Sequence, residues 1–242
     1  MKMRPNGIAV KLAGISKKYE IHHEKPTLVE KFVKGKNETF WALKDINLTI
    51  KKGEKVGIVG LNGSGKTTLL KIISGITSPT SGIVEINGKV VSLIDLEAGF
   101  HPDLTGEQNI FLNAMLLGME KKIIVKNLKS IIRFADIGQF IDTPLFAYSQ
   151  GMKLRLGFSV AIHANPETLI LDENINAGDV WFRKRAQEKL DELFSAKKTI
   201  VVATHWLDFI QRNCKRVVVL KKGNIIFDGT VEKGLSRYRG DK

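Results

Sequence analysis

The residues Gly60-Leu61-Asn62-Gly63-Ser64-Gly65-Lys66-Thr67 carry the most specific chemical pattern in this chain. The spacing G-x-x-x-x-G-K-[ST] lets a backbone curl until its N–H groups point inward at phosphate oxygens. A helix opening just beyond the curl adds its positive end, worth about 0.3–1 kcal/mol toward an exposed anion and more when partly buried. Lys66 can then reach the β- and γ-phosphates of a nucleoside triphosphate, and the Thr67 hydroxyl can ligate Mg²⁺. The flanks agree. Val56-Gly57-Ile58-Val59 is a compact apolar run suited to a strand buried on both faces of a parallel sheet. From Thr67 through Thr68 to Ile73 the apolar positions fall at helical spacing, closed by Gly75.

A second constellation ends another apolar strand, Thr168-Leu169-Ile170-Leu171-Asp172-Glu173. Ligands of open α/β sheets sit beyond the carboxyl ends of the strands. Side chains alternate along a strand, so neighbouring acids can do different jobs. Asp172 would hold the Mg²⁺ shell, and Glu173 would polarise an attacking water as general base, an effect of about 10²–10⁴-fold. Taken alone, two such acids could equally be a helix cap or a solvated turn. The phosphate-loop pattern decides between them.

These groups need a scaffold, and the chain supplies alternating elements. Ile8 to Leu12 and Ile46 to Ile50 read as strands, Ile83 to Gly88 as strand and turn, and Thr199 to Ala203 as a buried strand. A helix from Trp181 to Phe194 would provide the crossover that a parallel pair needs. Gly106 to about Gln139 is helical in pattern, with Ile110, Leu112, Met115, Leu116, Ile123, Leu128, Ile131 and Ile132 expected inside. Val217 to Gly229 predicts a hairpin turning at Lys222-Gly223-Asn224. Between Glu20 and Phe40 lies a polar, lysine-rich insertion in which Leu28, Val29, Phe32 and Val33 have the spacing of a short amphipathic helix.

Composition narrows the class. The 242 residues are 43% apolar and 26% charged, an ordinary globular balance for an α/β domain. No apolar run approaches the roughly 18–20 residues that cross a bilayer, and Met1 to Gly7 leads into no signal-type apolar segment. The lone Cys214 excludes an internal disulfide and fits a reducing compartment. The formal charge of +13 suits solvated surface, anionic lipid or nucleic acid. No aromatic residues interleave the lysines as in nucleic-acid modules, so no stable nucleic-acid partner is expected.

Tyr148-Ser149-Gln150-Gly151-Met152 opens a helical stretch shortly before the strand bearing Asp172. In that order and spacing the chain resembles the ABC ATPase family, although a Ser-Gln-Gly turn alone is a common helix cap. The resemblance covers nearly the whole chain. It implies an α/β fold: a RecA-like parallel-sheet core with an N-terminal antiparallel β subdomain and an α-helical subdomain at about 104–160, all within a single nucleotide-binding domain spanning 1–242. ATP and Mg²⁺ are the implied cofactors, bound by the loop from Gly60 to Thr68 and by Thr67 and Asp172. The implied assembly is a homodimer in which Ser149 and Gly151 cap the γ-phosphate held by the partner. Tyr19 resembles the family's adenine-stacking aromatic, although a buried tyrosine would read the same. Asn176 to Asp179 falls at the dimer-contact loop, and His205 resembles the switch histidine that contacts the γ-phosphate. His22, His23, His101 and His163 stay unassigned. The family's Mg²⁺-contacting glutamine is missing from Ser92 to Pro102, where either Asp95 or Glu97 could substitute.

Glu97-Ala98-Gly99-Phe100-His101-Pro102 through Ile110 is similar to ATPases that export polysaccharides such as O-antigen, capsule or teichoic acid, and so is the insertion at about 20–40. This implies an integral-membrane permease partner and a position at the cytoplasmic face of the membrane. Some relatives add a C-terminal carbohydrate-binding domain. With Lys242 as the last residue here, sugar recognition is expected to lie with the membrane subunit. Three rivals follow from the same residues: an ABC ATPase acting on nucleic acid or ribosomes, a nucleotide-dependent scaffold, and a phosphate-loop kinase. Single-cassette length argues against the first, Lys66, Asp172, Glu173 and His205 against the second, and the Ser149 loop against the third.

Overall fold

Residues 7–21, 38–172 and 180–240 are described by a computed structural model. Apolar side chains on one face of β1 (Ile8–Ile21), among them Val10, Leu12 and Ile15, are buried against those of β2 (Glu38–Lys51). β1 pairs antiparallel with β2 and with β4 (Ser81–Ile86), giving a three-stranded sheet ordered β2-β1-β4. Both long strands extend well past the short runs that alternation alone marks. Their ladder, with register shifts, continues from Ile8↔Lys51 to Ile21↔Glu38. The remainder of the insertion, 22–37, including its expected short helix, lies outside the described residues.

The continuous apolar runs form the second sheet. β5 (Val90–Ser92), β6 (Thr168–Leu171), β7 (Thr199–Ala203), β3 (Lys55–Val59) and β8 (Arg216–Lys221) lie side by side and parallel, with β9 (Asn224–Thr230) antiparallel at the edge. Four of its central strands are buried on both faces, as runs without alternation require. The expected β8–β9 hairpin turns at Lys222 and Gly223, both with positive φ. Arg216 fastens the layers. Its guanidinium donates to both carboxylate oxygens of Asp228, to Glu54 and to Thr49 O, and these acids raise its pKa.

One core lies between the two sheets and around α1 (Lys66–Ile73). The other lies between the parallel sheet and the helices: α2 (Gly106–Leu116), α3 (Lys121–Ala135), α4 (Gln150–His163), α5 (Val180–Ser195), α6 (Leu207–Asn213) and α7 (Val231–Gly240). Phe158 of α4 sits in it against Phe182 and Phe134. The helical stretch expected from 106 is two helices, broken where Gly118 adopts φ +74°. Ile110 and Ile131 are buried as expected, but Met115, Leu116 and Ile123 are exposed. On α2 two asparagines share the buried face with Ile110 and Ala114, and on α3 Ile124 rather than Ile123 faces the core. Asn109 donates to His101 O, Leu104 O and Thr105 O, and Asn113 donates to Ala98 O at 2.8 Å, so α2 turns its amides inward to hold the chain beneath it. No helix among the described residues is long and apolar enough to cross a membrane.

Candidate functional site

Three strands end level with one another. Ile58 of β3 pairs with Ala203 of β7, and Val202 with Leu171 of β6. The phosphate-loop pattern leaves β3, Asp172 leaves β6 and His205 leaves β7, so residues over a hundred positions apart in sequence reach one edge of the sheet. This edge is the carboxyl end, where open α/β sheets take their ligands.

The loop from Gly60 curls into the N-terminus of α1, and two glycines make the curl possible. Gly65 has φ +107°, and a Cβ there would stand 2.6 Å from Ala42 O; on Gly60 it would collide with Leu220 O and Ser64 Oγ. The β8–β9 turn props the loop from behind, with Gly223 N donating to Ser64 O at 3.0 Å and Lys44 N to Gly223 O at 2.8 Å. Lys66 is 7% exposed. Its ammonium donates to Gly60 O at 2.8 Å and Leu61 O at 3.2 Å, so the charge is held inside the curl. Asn62, Gly63, Ser64, Gly65, Lys66, Thr67 and Thr68 line an open cavity of about 360 Å³ with Phe40 and Ala42.

At the mouth of the loop the Thr67 hydroxyl donates to Asp172 Oδ2 at 3.2 Å, and Asp172 is only 4% exposed. Two hard oxygen donors side by side fit Mg²⁺, which takes one or two protein oxygens and fills the rest of its shell with water and phosphate. His205 is exposed, one residue beyond Thr204, whose Oγ1 accepts from Trp206 N at 3.1 Å. Glu173 and Asn176 to Asp179 lie outside the described residues.

Tyr19 is 39% exposed near the end of β1, with Lys17 Nζ 5.1 Å from its ring centroid. Its partner across the ladder is Phe40, 48% exposed, and it is Phe40 that lines the loop cavity. Directly paired residues of an antiparallel ladder share a face, so the two rings stand on the same side. Sequence reading singled out Tyr19 and missed Phe40. Nothing local marks Phe40, and only the register reveals it.

Ser149 is the N-cap of α4, its hydroxyl accepting from Met152 N at 3.2 Å, and Gly151 lies in the first turn. The buried Tyr148 anchors this loop by donating from its hydroxyl to Phe140 O at 2.7 Å, and burial, with help from Asp142, raises its pKa. The two acids considered for the missing glutamine part company. Asp95 lines a surface groove with Leu96, Ala98, Leu116 and Gly157, whereas the Glu97 carboxylate accepts from Gln150 Nε2. Of the unassigned histidines, His163 is structural. Its Nδ1 meets Ser159 O at 2.7 Å and Nε2 meets Ser130 Oγ at 2.9 Å, and burial lowers its pKa. Burial also pushes the Cys214 thiol up to about 12, which leaves it unreactive.

A buried lysine in a glycine-shaped curl, a hydroxyl–carboxylate pair at its mouth and a parallel sheet with helices beside it define a phosphate-loop nucleotide-binding protein. Residues 43–176 match the family model described as ABC transporter, and the chain belongs to that family. It is 45% identical over 198 residues to the O-antigen export system ATP-binding protein RfbB of Myxococcus xanthus, covering 82% of this chain and 45% of that protein. It is 39% identical over 234 residues to the teichoic acids export ATP-binding protein TagH of Listeria monocytogenes serotype 4b (strain F2365), covering 96% of this chain and 70% of that one. The chain thus spans just under half of the first relative and about seven-tenths of the second. Its fold matches the dimeric post-hydrolysis structure of the ATP-binding cassette MJ0796 bound to ADP and Pi. The TM-score is 0.69 and the identity 26%, over 92% of this chain and 98% of that one. The antiparallel sheet, parallel core and helical layer of the expected architecture are all present.

Proposed function

We propose that this chain is the ATP-binding and ATP-hydrolysing subunit of a transporter that exports a polysaccharide of O-antigen or teichoic-acid type. It works as one half of a homodimer beneath an integral-membrane permease, at the cytoplasmic face of the membrane. The observation that carries the reading is the Thr67–Asp172 contact over the curled loop, since it joins a phosphate cradle to a hard-cation site. In this reading the backbone from Gly60 to Thr68 cradles the phosphates, and Lys66 neutralises the β- and γ-oxygens. Thr67 and Asp172 hold Mg²⁺, which when bound offsets the negative charge gathering on the transferred phosphoryl group. Glu173 accepts a proton from the attacking water, and His205 orients the γ-phosphate. Ser149 and the Gly151 backbone meet the nucleotide of the second copy, a helix N-terminus aimed at an anion. The dimeric state of the MJ0796 cassette supports the pairing. The names of the two relatives support export.

Surface charge supports the membrane position. On α3, Lys122, Lys126, Lys129 and Arg133 recur at helical spacing on the solvent face, and the helix contains no acid. Such a stripe is attracted to anionic headgroups by about 1 kcal/mol per cation near the surface.

Co-reconstitution with its membrane partner in vesicles containing a lipid-linked glycan tests the reading. ATP-dependent glycan translocation with phosphate release is expected. A chain that binds ATP yet releases no phosphate would be a scaffold, and turnover stimulated by nucleic acid with steep salt dependence would support the nucleic-acid rival. A narrower prediction concerns adenine. Phe40→Ala should raise the KM for ATP by about 2–10-fold with kcat nearly unchanged, the loss of one aromatic stack. Steady-state kinetics beside Tyr19→Ala will show which ring, or both, carries the base. An unchanged KM in both variants would mean that adenine rests elsewhere.

A further inference from the structure

The segment 93–100 carries the chain from β5 toward the helical layer, and three attachments fix it there. Asn113 of α2 donates to Ala98 O at 2.8 Å. Gly157 of α4 admits Leu96 to the helix backbone, where any Cβ would collide with Leu96 O. The third attachment is the Glu97 carboxylate, which accepts from Gln150 Nε2. A carboxylate can only accept, so the Gln150 amide must present its nitrogen to Glu97. Gln150 immediately follows the N-cap Ser149, and Asp95, Leu96 and Ala98, which flank Glu97 in the chain, line an open groove of about 330 Å³.

We propose that Glu97 is a positioning residue. It ties the floor of that groove to the Ser149–Gly151 loop, so that a displacement of 95–98 changes how the loop is presented to the second subunit's nucleotide. The inference rests on the reading that Ser149 and Gly151 act across the dimer. It also answers why two acids could not be told apart from sequence. Asp95 belongs to the groove, and Glu97 serves the loop rather than a cation. Backbone attachments at Ala98 and Leu96 make the segment a stiff lever. The Glu97–Gln150 bond is its side-chain link to the start of α4, and both of its ends can be exchanged without touching the core.

Reciprocal exchange is the test. Gln150→Glu sets two carboxylates against each other and should lower kcat by roughly 10–100-fold, the scale of a small misplacement of a catalytic group. Binding of a fluorescent ATP analogue to the single subunit should not change. The double exchange Glu97→Gln with Gln150→Glu restores one donor and one acceptor in reverse and should recover most of the lost rate. Glu97→Ala removes the acceptor altogether and should lower kcat in the same direction as Gln150→Glu. Full activity in Gln150→Glu, or a double variant no better than it, would overturn the proposal. So would a raised Mg²⁺ requirement in Glu97→Ala with Gln150→Glu unaffected, since Glu97 would then serve the cation. Ser149→Arg separates the two levels. If it abolishes turnover while Gln150→Glu is silent, only the positioning role fails; if Ser149→Arg is silent as well, the reading across the dimer fails. Equal thermal midpoints for all variants will show that the fold is intact.

Discussion

Glu173→Gln should reduce single-turnover ATP hydrolysis by about 10²–10⁴-fold, the contribution of a positioned general base, while leaving ATP binding intact. The amide matches the carboxylate in shape but cannot take a proton from water, so the change isolates proton transfer from packing. The neighbour of Glu173 in sequence, Asp172, is buried at the end of β6 with its carboxylate on Thr67. With hydrolysis blocked, ATP and Mg²⁺ should accumulate a dimer, measurable by size exclusion with light scattering. With ATP no longer consumed, the preference of the closed form for ATP alone sets the population. Fast hydrolysis in this variant would mean that another group is the base. A persistent monomer, even beside the membrane partner, would remove the shared-site reading together with the roles given to Ser149 and Gly151.

Lys66→Met should cost about 10²–10³-fold in kcat, the usual loss when one preorganised donor to developing charge is removed, and should weaken ATP binding as well. The side chain is 7% exposed and its ammonium is already held by two loop carbonyls, so no solvent screening and little reorganisation dilute its effect on a phosphate. Methionine retains the apolar stem but gives up the charge. The same change leaves the Gly60 and Leu61 carbonyls without this donor, a destabilisation on the order of 1–3 kcal/mol. For a domain of this size that lowers the thermal midpoint by about 2–4 °C per kcal/mol. Calorimetry and phosphate release measured on one preparation separate the two effects. Parent-like turnover would show that the loop backbone alone neutralises the triphosphate.

The eight-residue span of a phosphate loop, a strand ending in acids and a helix cap at Ser149 are local patterns, and the chain displays each within a few positions. Continuous apolar runs such as Thr199 to Ala203 announce burial on both faces for the same reason: the neighbours that demand it are water-excluding layers, whatever their identity. Longer-range facts had no such signal. The alternation at Ile8 to Leu12 does not disclose that β1 continues to Ile21, because the ladder with β2 sustains the far half. Helical spacing put Met115, Leu116 and Ile123 inside, but α2 buries Asn109 and Asn113, which hydrogen-bond the chain beneath it, and α3 turns Ile124 inward instead of Ile123.

By itself the sequence determined which chemistry this protein carries, because phosphate binding needs residue types at a spacing that one short segment can supply. Tertiary structure alone decided which groups meet: that β6, β7 and β3 end level, that Phe40 stands across from Tyr19, and that Glu97 reaches Gln150. Strand order and register are set by packing between segments far apart in the chain, and no local pattern encodes a partner that folding brings from so many residues away.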